Sequence, residues 1–360
     1  MGVEFELPPD STTSHTTKPI SAASATIAPG PTPERRKKAV EPVRPVLAGF
    51  SARAEHAVQR TRLRIGLITP AAATSSPPSA SAARGIRLGA AEARQTARLF
   101  GDDVELYEAS GSGARGVMAA AKQLASARQV QVLIGASAED ADVLSSFAEA
   151  RGIIFFNVAS RAWSLRAACL RHTFHIEGSD GMYANALRFA ERHSATSPRA
   201  SSGRARMGRD SLLLWSPTLT RFGAAQINDR YQAQNRLPMD GSAWAGWAAV
   251  KIASEAALRA RSTESSTLIA YLESPAAQFD GHKGWPLSFR TVDHQLRQPV
   301  YVMIRSGATG PQGQAVADVP ELRAVSAQDT AGGTGTPGGS AALDEVIGSP
   351  SPACRWGKRG

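Results

Sequence analysis

The chain has 360 residues, 42% of them hydrophobic, with 41 Lys+Arg against 31 Asp+Glu and a formal net charge of +10. That length suits two domains, or one large α/β domain with tails. No apolar run is long enough to span a bilayer, and Cys169 and Cys354 have neither a CxxC nor a metal-ligand spacing, so no metal centre is expected.

Met1 to about Arg60 is rich in Ser, Thr, Pro and Ala, and it has no run able to bury a core. Its start also lacks a secretory pattern: Glu4, Glu6 and Asp10 make the beginning acidic, and no continuous apolar stretch follows. A first strand is expected at Leu63–Ile68, then a Pro/Ser/Ala loop through Ser75-Ser76-Pro77-Pro78. From Ala82 to Leu99, Ile86, Leu88, Ala91, Ala97 and Leu99 form an apolar stripe at helical spacing, and Gly101 ends the helix. Val104–Tyr107 reads as a strand, Val117–Ser126 as a helix, and Val130–Ile134 as a strand buried on both faces. The alternation continues with a helix at Glu139–Ala150, a strand at Gly152–Phe156 and a helix from about Arg161. A strand at Thr173–Ile176 and a helix at about Gly181–Glu191 complete it. Strands separated by such helices imply right-handed crossovers, hence a parallel sheet with helices on both faces.

After Ser194 the alternation breaks. Residues 195–210 form a basic Ser/Arg linker carrying Arg199, Arg204, Arg206 and Arg209. Ser211–Trp215 is a short strand, and helices follow near Gly223–Asn235, Ala243–Arg259 and Ser266–Leu272. Leu287–Arg290 and Val300–Ile304 flank Asp293-His294-Gln295 as a β-hairpin. The segment 326–360 reads as a flexible tail, with glycines from Gly332 to Gly339.

Gly111-Ser112-Gly113-Ala114-Arg115-Gly116 spells a dinucleotide-binding turn, the basis of an alternative reading as an NAD(P)-dependent oxidoreductase. The motif follows the second strand, however, and the next strand ends at Gly135-Ala136-Ser137 with no carboxylate to hold a ribose. A flexible βα loop is the better reading, and no cofactor is expected. His172 and His175 have no third ligand nearby and read as structural. Nothing here has the pattern of an enzyme. The basic segments, Arg35-Arg36-Lys37-Lys38 among them, leave a second alternative, an interaction protein that uses its tails. Such runs are more often solvated than readers of nucleic acid.

Parallel α/β sheets take ligands outside the carboxyl ends of their strands. Those ends carry small hydrogen-bonding residues here: Thr69, then Gly135-Ala136-Ser137, then Asn157-Val158-Ala159-Ser160. Ser137 and Ser160 each precede a predicted helix, where hydroxyls and free N–H groups suit a carboxylate. Plain helix capping is the better reading of either serine taken alone, and the two roles are compatible.

Gly85-Ile-Arg-Leu88-Gly89-Ala-Ala-Glu92, Leu99-Phe100-Gly101 and Val104-Glu-Leu106 resemble the first lobe of type I periplasmic binding proteins. The likeness is to the leucine/isoleucine/valine substrate-binding subunits of ABC transporters. Val132–Gly135, Phe155–Val158, Leu165–His175, Ala245–Val250 and Phe279–Arg290 extend it, and the last pieces are similar to members associated with PQQ-dependent alcohol oxidation. Together these cover about Leu63–Glu191 and Ser211–Ile304. The resemblance implies a fold in which two α/β lobes close on a small amino-acid- or amide-like ligand, a membrane permease as partner and a periplasmic location. It gives Gly135, Ala136, Ser137, Ala159 and Ser160 the roles of accepting the ligand's ammonium and donating to its carboxylate. It makes Asn157 a brace, and Cys169 with Cys354 a pair bridged after export. Closing so long a loop is worth up to about 5 kcal/mol in the chain-entropy picture. The chain departs from the family where most of a second lobe would stand, at 195–210. That implies a truncated lobe two and impaired ligand capture.

Overall fold

The structure, a computed structural model, describes residues 60–71, 75–195, 212–304, 321–325, 343–344, 348, 354 and 356. Expectations for the segment before residue 60 and for the linker after 195 lie outside the described residues.

Strand and helix alternate from β1 (Arg62–Pro70) through α1 (Pro77–Leu99), β2 (Asp103–Gly111), α2 (Gly113–Ala127) and β3 (Val132–Gly135). They continue through α3 (Ala141–Arg151), β4 (Ile154–Asn157), α4 (Trp163–Ala167), β5 (Thr173–His175) and α5 (Asp180–Ala195). The five strands pair in the order β2-β1-β3-β4-β5, every pair parallel. The two-residue strand period sends neighbours to opposite faces. Leu67, Ile134 and Phe156 enter one core, while Ile68, Leu133 and Phe155 enter the other with α2 and α3. A parallel sheet covered on both faces is therefore what the sequence implied and what the chain forms.

The later elements are β6 (Leu212–Leu213), α6 (Ala224–Asn235), α7 (Gly241–Ala260), α8 (Ser265–Leu272), β7 (Phe279–Asp280), β8 (Pro286–Phe289), β9 (Leu296–Arg297), β10 (Val300–Ile304) and β11 (Glu321–Val325). Helices α6, α7 and α8 fold back over the face already holding α1. Helices α1 and α7 approach so closely that a Cβ on Gly85 would lie 1.9 Å from the Ala243 carbonyl oxygen, and one on Gly246 2.4 Å from that of Ala82. Asp240 caps α7 by accepting the Ala243 N–H at 2.8 Å, and its Oδ1 also accepts the Ser81 hydroxyl of α1 at 2.7 Å.

Several boundaries differ for local reasons. Helix α1 begins at Pro77, not Ala82, because Ser76 caps it and proline is tolerated in a first turn. Gly152 is the left-handed cap of α3, with φ 66°, so the fourth strand starts only at Ile154. The expected hairpin of Leu287–Arg290 with Val300–Ile304 does not form. Strand β8 pairs with β7 and β9, whereas β10 pairs with β6 and with β11, a strand the sequence reading missed. In that second small sheet, Val300 and Val302 of β10 and Leu212 of β6 pack against Met182, Tyr183 and Ala186 of α5.

Replacing Gly85 with Ala forces α1 and α7 apart and is expected to destabilise the chain by about 1–3 kcal/mol. Gly181→Ala, where the nearest atom to an added Cβ is a serine hydroxyl at 3.6 Å, should be near neutral. Urea denaturation of both variants checks this.

Candidate functional site

The register places Ile68 of β1 beside Gly135 of β3, Gly135 beside Asn157 of β4, and Asn157 beside His175 of β5. The chain therefore leaves four consecutive strands at one edge. Thr69 lies half-buried near the end of β1, opposite Ser110. Ala136 continues the pairing, its N–H reaching the Ile68 carbonyl at 2.9 Å. Gly135 has a packing reason to be glycine, since an added Cβ would meet Leu144 Cδ1 of α3 at 2.5 Å. Ser137 and Ser160 stand in the turns after β3 and β4, both mostly buried.

Neither serine is a helix cap. Helix α3 is capped at Asp140 and α4 at Ala162, neither with a side-chain cap bond. Each serine instead closes a two-residue turn. Ser137 Oγ accepts the Glu139 N–H at 3.3 Å, and Ser160 Oγ accepts the Ala162 N–H at 3.3 Å. Both hydroxyl protons remain to be donated elsewhere.

Asn157 organises the second turn. Its Oδ1 accepts the N–H groups of Ser160 at 2.8 Å and Ala159 at 3.3 Å, and its Nδ2 donates to the Ser160 carbonyl at 2.8 Å. The two N–H groups expected to be free for a carboxylate are thus taken by the asparagine. Asn157 Nδ2 also lies 3.2 Å from His175 Nδ1, which must act as acceptor, so that ring is neutral with its proton on Nε2. Burial first, and then the charges of Arg166 and His294, hold His175 well below the ordinary imidazole range.

Sequence reasoning did not single out the polar groups behind this turn. Arg166 of α4 is buried, and burial brings its guanidinium down to about 10 despite Glu177 and Asp293 nearby. It donates from Nη1 to the carbonyls of Ser160 (2.9 Å) and Ala162 (3.1 Å), and from Nη2 to that of Glu177 (2.7 Å). Its Nε and Nη2 also reach Gln295 Oε1. Gln295 Nε2 returns donors to the carbonyls of His175 and Glu177. Glu177, on the loop after β5, is buried, and Tyr183 donates to its Oε1 at 2.7 Å. Arg161, half-exposed beside Ser160, places its Nε 3.3 Å from the same oxygen and its guanidinium 4.1 Å from the Tyr183 ring centroid. Burial raises the Glu177 carboxyl, against the lowering effect of Arg161 and the Tyr183 hydrogen bond. Lys283 is fully buried over Trp244 and donates to Gln298 Oε1 and the Pro299 carbonyl; burial pulls it well below its ordinary range.

Cys169, just after α4, is joined to Cys354 by a disulfide, so the tail read as flexible is anchored there. The Cys354 N–H also reaches the Val292 carbonyl at 2.8 Å, and Trp356 stacks on His294.

Gly111 is the last residue of β2, at the sheet's edge and not at the β1/β3 crossing where dinucleotides bind. An added Cβ there would meet Gly116 C at 2.4 Å, and Gly113 has φ +61°. Close strand–helix packing and one left-handed turn account for these glycines. A small cavity of about 30 Å³ lies at the opposite end of the sheet, between Thr61, Leu63, Asp102 and Leu258. It is at the amino ends of β1 and β2, where sheets of this type do not take ligands. Among the described residues no group of three or more His, Cys, Asp or Glu is placed to hold a metal, and no helix is long and apolar enough to cross a membrane.

Residues 62–197 match the profile of a family described as periplasmic binding protein. No relative among curated proteins matches the sequence. Among solved structures the chain resembles the branched-chain amino acid transporter substrate-binding protein LivJ of Streptococcus pneumoniae, in complex with isoleucine. The identity is 12% and the TM-score 0.53, over 73% of this chain and 100% of that one. A branched-chain amino acid ABC transporter ligand-binding protein of Burkholderia xenovorans gives 10%, 0.61, 81% and 98% respectively. A solute-binding protein of an ABC transporter from R. palustris, in complex with benzoate, gives 15%, 0.53, 73% and 97%. The chain is thus, through this segment, similar to the periplasmic binding proteins, and its fold is that of their type I members.

Asn157→Ala should strand the buried Ser160 N–H and the half-buried Ala159 N–H, and cost about 2–4 kcal/mol by thermal or urea unfolding. Because the folded chain keeps His175 neutral while the unfolded chain protonates it near 6.5, its stabilising effect is present above that pH and lost as pH falls below it. Glu177 acts oppositely, in the window just above the ordinary carboxyl value of 4.5. Stability measured against pH should therefore fall less steeply below about 6.5 in His175→Gln than in the parent, by at most about 1.4 kcal/mol per pH unit. Parallel curves would remove His175 from the account.

Proposed function

We propose that the chain is a non-enzymatic solute-binding component of an ABC transporter. It takes a small amino-acid- or amide-like ligand where β1, β3 and β4 end. The observation that carries this is the pair of turns after β3 and β4. At adjacent strand ends, Ser137 and Ser160 each have the oxygen engaged by a backbone N–H and the hydroxyl proton left to donate. Arg161 adds a half-exposed cation next to Ser160. Thr69, Gly135, Ala136 and Ala159 form the backbone rim, and Asn157 braces it. The similar solved proteins were captured with isoleucine, benzoate and 3,4-dihydroxybenzoic acid, all small carboxylates.

The partner in this reading is a membrane permease and the place of work is the periplasm. The Cys169–Cys354 bridge fits an oxidising compartment. The three-stranded sheet β11-β10-β6 stands, in this reading, for a much reduced second lobe. A ligand on the rim then stays partly exposed and binds weakly, since tight sites bury most of their ligand.

Calorimetry against a library of amino acids, small amides and aromatic acids tests the proposal. Weak binding of one class is expected, and Ser137→Ala and Ser160→Ala should each weaken it about tenfold, the worth of one hydrogen bond to a charged group. A tight and fully enclosed complex would contradict the reduced lobe. No loss in either serine variant would contradict the rim.

A further inference from the structure

His294 has a partner on every side of its ring. It is fully buried in the turn that joins β8 to β9, where its N–H donates to the Arg290 carbonyl and its carbonyl accepts the His175 N–H of β5. Nδ1 lies 3.1 Å from the Thr173 carbonyl oxygen, and Nε2 lies 3.1 Å from Oε1 of Glu273, the residue that ends α8. Phe174 stacks on the ring with centroids 4.1 Å apart and planes 4° apart, and Trp356 of the C-terminal tail with 4.7 Å and 17°. Two rings so close and so nearly parallel cannot share one face of an imidazole, so His294 is sandwiched between them.

Two acceptors and two aromatic faces fit one form of this ring. A carbonyl and a carboxylate oxygen only accept, so each nitrogen has to donate, and a neutral imidazole carries a single N–H. The form that satisfies both is the imidazolium, whose charge the two π faces also favour. Glu273 is its counter-charge. The hydrogen bond from His294 holds that carboxyl below its ordinary range despite burial, and Arg171 Nη2 reaches its other oxygen at 3.2 Å. The nearest other charged or titratable groups among the described residues are engaged elsewhere. His175 of β5 bonds Asn157, Arg290 pairs with Asp293 in the β8–β9 turn, and Arg166 of α4 bonds carbonyls and Gln295.

We propose that His294 is a proton-operated latch for the C-terminal tail. With a proton on each nitrogen it holds Trp356 against β5. When pH rises and the ring gives one proton to water, the Nε2–H stays with the carboxylate and Nδ1 turns a lone pair on the Thr173 carbonyl. Both stacked rings then lose the cation they faced, and Trp356 leaves the imidazole. Cys354 stays bridged to Cys169 in either state, so the switch opens the tail locally without unfastening it. The His294 carbonyl holds the end of β5 and the next residue, Gln295, holds Arg166, which places the latch directly behind the turn after β4.

Fluorine NMR of the full chain carrying 5-fluorotryptophan tests this, with the Trp356 line assigned by its absence from Trp356→Phe. Nitrogen-15 spectra of the imidazoles follow the His294 ring, assigned by its loss from His294→Asn, between about pH 5 and pH 9. The Trp356 line should move with the same midpoint as the His294 nitrogens, both of which should be protonated at the acid end. Glu273→Gln removes the counter-charge and should lower that midpoint by about one pH unit or more, whereas Arg171→Gln removes a competing cation and should raise it. A Trp356 line that stays still across the range overturns the proposal, as does one whose midpoint differs from that of His294. A ring with a single proton throughout, or a midpoint that neither variant moves, overturns it too. Should Glu273→Gln fail to fold, the paired midpoints of the unmodified chain and the exposed Arg171→Gln still decide.

Discussion

The fold depends on a backbone contact between two helices far apart in the sequence. Helix α7 can cover the sheet face shared with α1 only because Gly85, Gly89 and Gly246 let the two helices touch without side chains between them. Around that contact the sequence supplies polar fasteners. Asp240 caps α7 while holding Ser81 of α1, and Glu92 of α1 accepts both Trp247 Nε1 at 2.7 Å and Arg230 Nε at 2.6 Å. Covering a parallel sheet on both faces is a precondition of burying its strands, so this late-arriving helix completes the lobe that the first half of the chain begins.

Completion of the lobe also fixes the rim. The turn after β4 is not held by its own residues alone, because Asn157 ties it from below and Arg166 ties it sideways to the loop after β5. Arg166 in turn leans on Gln295, a residue brought in by the C-terminal third of the chain. The disulfide fastens the end of α4 to Cys354 close to the same place. A buried cation bonded only to carbonyl and amide oxygens is costly unless every donor is used and acids stand close by. Here Glu177 and Asp293 supply that field. The same network leaves Glu177 buried, with its Oε1 held by Tyr183 and Gly178.

Much of the first lobe was legible because each strand is a short apolar run bounded by turn residues and each helix carries an apolar stripe. These are local signals that survive in a single sequence. What was not legible is non-local. The hairpin expected between Leu287–Arg290 and Val300–Ile304 failed because β10 finds β6 and β11, and nothing near Val300 announces either partner. The same holds for Arg166 and Gln295, which look like ordinary polar residues until the fold joins them. The serines at the rim were visible by strand-end position, yet their role as helix caps was a misreading. A hydroxyl three or four residues before a helix can close a smaller turn, and only coordinates separate the two. Gly111 and Gly116 spelled a cofactor motif for a packing reason, and the strand that carries them lies at the sheet's edge.

Central to the account is that small solutes engage the turns following β3 and β4. Hydrogen–deuterium exchange of the full chain, with and without the best-binding solute of the library, tests it most directly. Slowed exchange confined to residues 135–139, 157–163 and 176–178 is the result the account predicts. Protection appearing instead at Gly111–Gly116, or at the opposite sheet edge around Thr61 and Asp102, would contradict it.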